Sequence, residues 1–278
     1  MIGKRTGGPS DFVGRLARLR QIDWQSVGLD AFGFYEAVLS YQAQRSTCPE
    51  VTEAVERLAS TEESGFSFSA ESEIDALLLE VQAAISQLAE AAPGVLAEKG
   101  RDLVDEPDQL AAGLGSWLER ESVGAPASMW FQLASAPIFE ALARSRNGSE
   151  EWTKATCPVC RGLPQVSAIV EESGEFMHGA PRYLICSRCA YWWRFTRAVC
   201  PSCGEHDPKR LSTFRADAWP WARLDSCESC RSYIKMFDLR EPGGIAVVPL
   251  VDDLTTLSLD LWAQTQDLRR AAPTFVGI

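Results

Sequence analysis

The chain has 278 residues, enough at roughly 150 residues per domain for two domains with a real hydrophobic core, which excludes a disulfide-stapled miniprotein. It is 46% hydrophobic and 23% charged, the balance of a folded globular protein rather than a disordered or fibrous chain. A net charge of -11 gives no reason to expect nonspecific attraction to nucleic acid or anionic lipid.

Lys4 and Arg5 near the start have no apolar stretch behind them, so no secretory signal is expected. No uninterrupted apolar run reaches about 18 residues, the minimum for a spanning helix, and no direct membrane insertion is expected. A cytoplasmic protein follows, in which thiols stay reduced and clustered cysteines read as metal ligands.

Helical periodicity runs through residues 12–24, 31–44 (Phe34, Val38, Tyr41) and 51–59. Residues 71–97 place Ile74, Leu77, Leu78, Val81, Ile85 and Leu88 at three- and four-residue spacings, an amphipathic helix stopped near Pro93-Gly94. Residues 110–118 repeat the pattern. Residues 128–144, after Pro126, carry Trp130, Phe131, Leu133, Ile138, Phe139 and Leu142 and read as a largely buried helix. Five or six helices thus make an all-helical domain over residues 1–150, with a polar, turn-rich boundary at 145–149.

Charge and cysteine content change at the same place. Residues 1–150 hold 12 Lys+Arg and 23 Asp+Glu, whereas residues 151–278 hold 15 of each. Only Cys48 precedes the boundary and eight cysteines follow it. Cys48, alone, reads as a small buried residue. Short aromatic and β-branched runs at 165–170, 182–185 and 191–196 suggest antiparallel strands between the cysteine pairs.

The chemistry lies in four CxxC pairs. Two cysteines three positions apart on a tight turn aim both sulfurs at one metal, while backbone N–H groups of the turn offset the thiolate charge. Pro158 and Pro201 shape such turns, Gly204 permits a positive φ after Cys203, and Arg161-Gly162 is a shifted version of that device. Two turns facing each other give a tetrahedral four-thiolate site.

The pairs are separated by 25, 10 and 23 residues, and they repeat: Cys157 to Cys200 is an offset of 43 and Cys186 to Cys227 an offset of 41. After the last cysteine of each unit comes an aromatic (Trp192, Tyr233), a base (Arg194, Lys235) and an apolar residue (Phe195, Met236) at matching places. We therefore assign Cys157, Cys160, Cys186 and Cys189 to one metal, and Cys200, Cys203, Cys227 and Cys230 to a second. An interleaved cross-brace would use the same eight ligands in other pairs. A redox dithiol is the weaker alternative, because such motifs stand alone beside a βαβ pattern.

Sulfur-only ligation suits two ions of zinc, or of iron in the manner of rubredoxin. Four thiolates around a divalent ion carry about -2, a charge that Arg182, Arg188, Arg194, Arg197 and Lys235 are placed to offset. Such a metal contributes on the order of 10 kcal/mol to folding, enough to hold a module of about 40 residues. No open coordination position is implied, so the sites read as structural or redox rather than hydrolytic.

Other features carry less. His178 and His206 are the only histidines; His206 stands near Cys203 but reads as an exposed loop residue. Trp192, Trp193, Trp219 and Trp221 could form a binding surface, with packing around the metal turns the simpler account. No phosphate loop, nucleophile elbow or Ser/His/Asp arrangement is present, so no enzyme is expected. Asp252-Asp253 opens a predicted helix, where two acids favour the dipole, partner contact being the alternative.

The order of these motifs is specific. A helical half precedes a CPxC turn, then Arg182-Tyr183-Leu184-Ile185-Cys186 with Trp193-Arg194, a CxxC with Gly204, Cys227 to Lys235 with Tyr233, and finally Asp252-Asp253-Leu254-Thr255-Thr256-Leu257-Ser258-Leu259-Asp260. This order resembles the FdhE family of formate dehydrogenase accessory proteins, tightly over residues 157–260 and loosely through 34–44 of the helical half.

The resemblance implies a cytoplasmic assembly factor that acts on the catalytic subunit of membrane-associated, selenium- or cysteine-containing molybdenum or tungsten formate dehydrogenases before export. It also implies a helical domain with two rubredoxin-like modules that can hold iron. The expected fold is multidomain α+β: a helical domain (1–150), two tandem rubredoxin-like or zinc-ribbon four-cysteine modules (151–197 and 198–240), and a C-terminal segment with a helix (241–278). Weak homo-oligomerisation is compatible with this reading. The alternatives are a rubredoxin-like electron carrier and a nucleic-acid-binding zinc ribbon, the latter disfavoured by the acidic charge.

Overall fold

The computed structural model describes residues 11–27, 32–59, 71–145, 152–174, 177–240 and 247–272. Residues 1–10 and most of the polar boundary at 145–149 lie outside these. The helical half comprises α1 (Phe12–Leu19), α2 (Trp24–Val27), α3 (Phe32–Arg45), α4 (Pro49–Ala59), α5 (Glu71–Leu88), α6 (Gly94–Asp105), α7 (Pro107–Leu118) and α8 (Ala125–Ser145). The Asp11 carboxylate caps α1 by accepting the Gly14 N–H at 3.1 Å.

Two sequence expectations change here. The single helix at 12–24 breaks after Leu19 and restarts at Trp24, whose indole N–H donates to the Leu19 carbonyl. The segment at 71–97 ends as α-helix at Leu88, and extended Pro93 then serves as N-cap of α6, a separate helix that periodicity alone did not reveal. In α6 only Leu96, Ala97, Gly100 and Leu103 are buried, a narrow stripe among polar residues.

Helix α8 is the axis of the helical half, buried on nearly every face from Ala127 to Ala143. Pro137 sits inside it, and having no N–H it leaves the Leu133 carbonyl without its intrahelical partner. Gln42 of α3 supplies the missing donor at 2.7 Å, which is why a buried glutamine faces this helix. Arg15 of α1 makes a buried bidentate pair with Glu140 of α8 at 2.7 and 2.9 Å, and Trp130 of α8 donates to the Leu96 carbonyl of α6 at 2.8 Å.

The second half is built on strands β1 (Pro164–Ile169), β2 (Glu172–Gly174), β3 (Met177–Gly179), β4 (Arg182–Cys186), β5 (Trp192–Phe195), β6 (Leu211–Arg215), β7 (Ala222–Cys227), β8 (Ser232–Asp238) and β9 (Arg269–Arg270). Helices α9 (Pro249–Thr255) and α10 (Leu257–Thr265) precede β9. Each four-cysteine unit contributes three strands: β1, β4 and β5 from the first, β6, β7 and β8 from the second. These join into one sheet of order β5-β4-β1-β8-β7-β6, with β9 also on β8 and β2-β3 a separate hairpin.

The seam is a parallel pairing of β1 with β8, Val166 to Ile169 against Lys235 to Asp238, while the pairs within each unit are antiparallel. The first strand of one unit thus lies against the third strand of the other. The fold is α+β: a helical half, a sheet half with the cysteine clusters, and short C-terminal helices.

One hydrophobic core crosses the two halves. It runs from Leu19, Val38, Leu77, Phe131 and Phe139 of the helices to Leu184, Trp193, Ile234 and four of the cysteines. A second core on the sheet gathers Val166, Tyr183, Trp192, Trp221 and Phe237 with Leu250 and Leu259. No helix among the described residues is long and apolar enough to cross a membrane.

Candidate metal centres

The structure brings Cys157, Cys160, Cys186 and Cys189 together as one group and Cys200, Cys203, Cys227 and Cys230 as another, with each group's sulfurs within 4.8 Å of one another. The cysteines are grouped sequentially, unit by unit, rather than interleaved. In the first group the sulfurs of Cys157 and Cys189 are 3.5 Å apart, and Cys160 lies 3.4 Å from both Cys186 and Cys189. In the second, Cys200 to Cys230 and Cys203 to Cys227 are each 3.7 Å. Four sulfurs held tetrahedrally at about 2.3 Å from a zinc or iron ion stand about 3.8 Å apart, so either group could hold such an ion with little adjustment.

The turns explain how the sulfurs are aimed. In three of the CxxC pairs a backbone N–H two residues beyond the first cysteine approaches its sulfur at 3.4 Å: Val159 to Cys157, Arg188 to Cys186 and Ser202 to Cys200. The residue after each second cysteine adopts a left-handed conformation: Arg161 (φ 59°), Ala190 (52°), Gly204 (80°) and Arg231 (57°). Only one is glycine; the others accept a cost of about 1 kcal/mol each because the turn over-determines them.

Gly162 answers a different need. A Cβ there would stand 2.9 Å from the Cys186 sulfur, so this glycine lets the first turn close against the opposing ligand, while the left-handed step falls on Arg161.

The two groups differ in surroundings. All four cysteines of the first are fully buried, whereas in the second Cys203 is exposed and Cys230 half-buried. Helices α7 and α8 cover the first. Gln132 of α8 donates to the Ser187 carbonyl at 2.9 Å, inside the Cys186–Cys189 turn. Arg188, in the same turn, donates to the Trp117 and Leu118 carbonyls at the end of α7, and its guanidinium lies 4.2 Å from the centre of the Trp117 ring.

One cation therefore closes the negative end of a helix and faces a buried thiolate cluster. Burial pulls the Arg188 pKa down, and the Cys160 and Cys186 thiolates push it back up. At the second group burial raises the Cys200 thiol, but the N–H groups of Cys203 and Ser202 and the Ser232 hydroxyl outweigh it and leave the pKa at about 7.

Of the other bases expected to offset thiolate charge, Lys235 is engaged elsewhere. Its ammonium is fully buried against Asp253 (2.7 Å) and Asp260 (2.5 Å), and Arg270 pairs with the same two carboxylates at 2.6 Å each. Tyr233 donates to Asp260 at 2.8 Å, and Gln165 to Asp253 at 2.9 Å. Two cations and two carboxylates thus neutralise each other where β8, α9, α10 and β9 meet.

Asp252 pairs with Arg18 of α1 at 2.5 Å and accepts the Val248 N–H at 2.6 Å, which is a capping role. Asp252 and Asp253 are 0% and 2% exposed, so neither offers a partner surface. The pairing of Tyr233 and Lys235 with Asp253 and Asp260 was not visible in sequence, although their regular spacing within two separate motifs was its signal.

The remaining candidates are quickly placed. His206 is exposed and belongs to neither cysteine group, and the side chain of His178 lies outside the described residues. Trp192, Trp193 and Trp221 are buried and pack the sheet. Cys48 is not buried, as its isolation suggested, but half-buried at the end of α3, where its thiol reaches the Gln44 carbonyl at 3.5 Å.

Comparison with known proteins agrees with this geometry. Residues 156–197 match the model for "FdhE, central domain" and residues 198–276 that for "FdhE, C-terminal domain". A "Protein FdhE homolog" of Aquifex aeolicus is 38% identical over 128 residues, 46% of this chain and 44% of that protein. Homologues of the same description from Shewanella oneidensis (38% over 104 residues; 37% and 32% of the two chains) and Haemophilus influenzae (32% over 116; 41% and 36%) are also similar.

Each of these matches spans less than half of the relative's length. The crystal structure of the FdhE protein from Pseudomonas aeruginosa superimposes with a TM-score of 0.68 at 21% identity, covering 98% of this chain and 96% of that one, which establishes a common fold. With both sheet-forming segments matched to the family's domains and the fold shared across the helical half, the chain belongs to the FdhE family.

Proposed function

We propose that this protein is a cytoplasmic accessory factor that binds the catalytic subunit of a formate dehydrogenase and is required for its maturation. The observation that carries the reading is the placement of two four-cysteine clusters within the central and C-terminal FdhE domains. The eight cysteines hold two metal ions, iron as in rubredoxin or zinc. Four cysteines per site would leave a tetrahedral ion no open position, which favours a protein that acts by binding rather than by hydrolysis.

Deleting the gene in its host should abolish respiratory formate oxidation while the dehydrogenase polypeptide is still made. The dehydrogenase subunit should co-purify with the tagged protein under anaerobic conditions. Failure to recover that subunit, with formate oxidation intact in the deletion strain, would overturn the proposal.

A second reading, electron transfer, draws on the exposure of Cys203 at the second cluster. It requires a reversible change in the visible spectrum of the iron-loaded protein at a physiological potential.

A further inference from the structure

Beside the second cysteine cluster, where the two units meet, lies a half-open cavity of about 240 Å³. Its walls include Arg182 from β4, the linker at 198–199, Thr213 of β6, and Arg223 and Asp225 of β7. Arg182 begins a strand in the first unit, yet its guanidinium reaches Asp225 of the second, stopping 4.0 Å short. On the way Nη1 donates to the carbonyls of Arg197 and Val199 at 3.2 Å each.

That leaves the other edge of the guanidinium. Nε and Nη2 of Arg182 are shielded from solvent and have no hydrogen-bond partner among the described residues. The whole residue is only 3% exposed. A buried arginine normally fills its donors, because each unmade charged hydrogen bond costs on the order of 2 kcal/mol. Here the two unfilled donors are the parallel pair that forms a bidentate fork with a carboxylate or phosphate.

Asp225 does not fill the fork. Its carboxylate is held by Arg223 Nε at 2.9 Å and by the Thr213 hydroxyl at 3.0 Å, and its nearer oxygen remains beyond hydrogen-bond distance of Arg182. Arg182, Arg197 and Arg223 against Asp225 leave two positive charges in excess in the cavity lining, before the Cys200 and Cys227 sulfurs at its border are counted. The Arg182 pKa is lowered, first by burial, in keeping with a charge that lacks a full counter-ion.

We propose that this cavity is a binding site for a small oxyanion, a carboxylate or phosphate, held in bidentate fashion by Nε and Nη2 of Arg182 with Arg223 as a second cation. Such a ligand would tie β4 of the first unit to β7 of the second, and binding would stiffen the seam between them. The rival account of Arg182 is a counter-charge for the second cluster, since Cys200 and Cys227 also border the cavity.

The test uses the full-length, metal-loaded protein, titrated with inorganic phosphate and with acetate against chloride at matched ionic strength. Readouts are calorimetry and the NMR signals of arginine Nε–H groups. Saturable binding of phosphate or acetate, with a shift of one buried Nε–H resonance, is expected, and the stronger of the two identifies the ligand's chemistry.

Arg182→Lys keeps the positive charge but removes the fork. It should retain both metals and weaken the anion at least tenfold. Arg223→Gln, at the partly exposed wall, should weaken it severalfold and guards against a folding failure of the first variant. Absence of saturable binding by the wild-type protein, or equal affinity in Arg182→Lys with both metals present, would overturn the proposal.

Discussion

The cysteines of the first cluster are sealed within the core that joins the two halves, while the second cluster sits at the protein's rim with Cys203 exposed and Cys230 half-buried. The turns do not cause this difference. Both clusters have the same left-handed residue after each second cysteine and the same N–H approach to sulfur. What differs is the cover: α7 and α8 lie over the first through Arg188 and Gln132, and the second faces a cavity and solvent. A repeated unit can thus keep the same turn geometry in different environments, one cluster buried where the helical half meets the sheet and the other partly exposed.

Cysteine replacement should break the comparison most sharply. Cys160→Ser strikes a sulfur buried in the shared core, where a bound metal would contribute on the order of 10 kcal/mol, comparable to the whole stability of a domain. Loss of soluble protein, or a collapse of helical circular dichroism, is expected. Cys203→Ser should instead leave the helical signal intact and reduce the metal content by one ion per chain. If both variants behaved alike, burial would not distinguish the clusters.

A smaller effect is expected at the fastening itself. Arg188→Ala removes a buried cation that serves two carbonyls at the end of α7 and stacks on Trp117, and should cost about 3 kcal/mol. Urea denaturation checks this, with Arg194→Ala as a control at an exposed position. A loss below about 1 kcal/mol for Arg188→Ala would mean that α7 and the first cluster are only neighbours.

The residues that carry the clusters were legible in sequence because ligand spacing is local: four CxxC turns in register leave few ways to arrange eight sulfurs. Long-range pairing was not. Nothing in the repeat announces that β1 lies parallel to β8, because both strands are buried along their whole length yet mix apolar residues with Gln165, Ser167 and Lys235, a pattern that would serve equally in separate small sheets. Lys235 looked like a counter-charge for thiolates because it follows Cys230 closely, yet its partners are Asp253 and Asp260, which only the packing of α9 and α10 on the sheet brings near. The helical half was readable where apolar stripes are broad, as in α3 and α8, and unreadable in α6, where small residues make the contact.

That network offers the smallest and most graded test. Burial would raise the Asp253 carboxyl, but Arg270 and Lys235 override it and hold the pKa at about 2, below the ordinary carboxylate value. A carboxylate lowered on folding adds stability that is present above about pH 4 and lost as pH falls toward 2. The contribution is roughly 2 kcal/mol. Asp253→Asn should therefore be less stable than the wild-type protein at neutral pH, with the gap narrowing below pH 4. Comparing the two at each pH cancels any loss of metal common to both, and a gap independent of pH would refute the assignment.

The central claim, that one cluster is sealed and the other accessible, is tested most directly by the kinetics of metal release to a strong chelator at neutral pH, with the ions counted. Release in two phases is expected, one ion leaving fast and the other only at the rate of global unfolding, and Cys203→Ser should lack the fast phase. Release of both ions at a single rate, or a fast phase that survives in Cys203→Ser, would contradict the account.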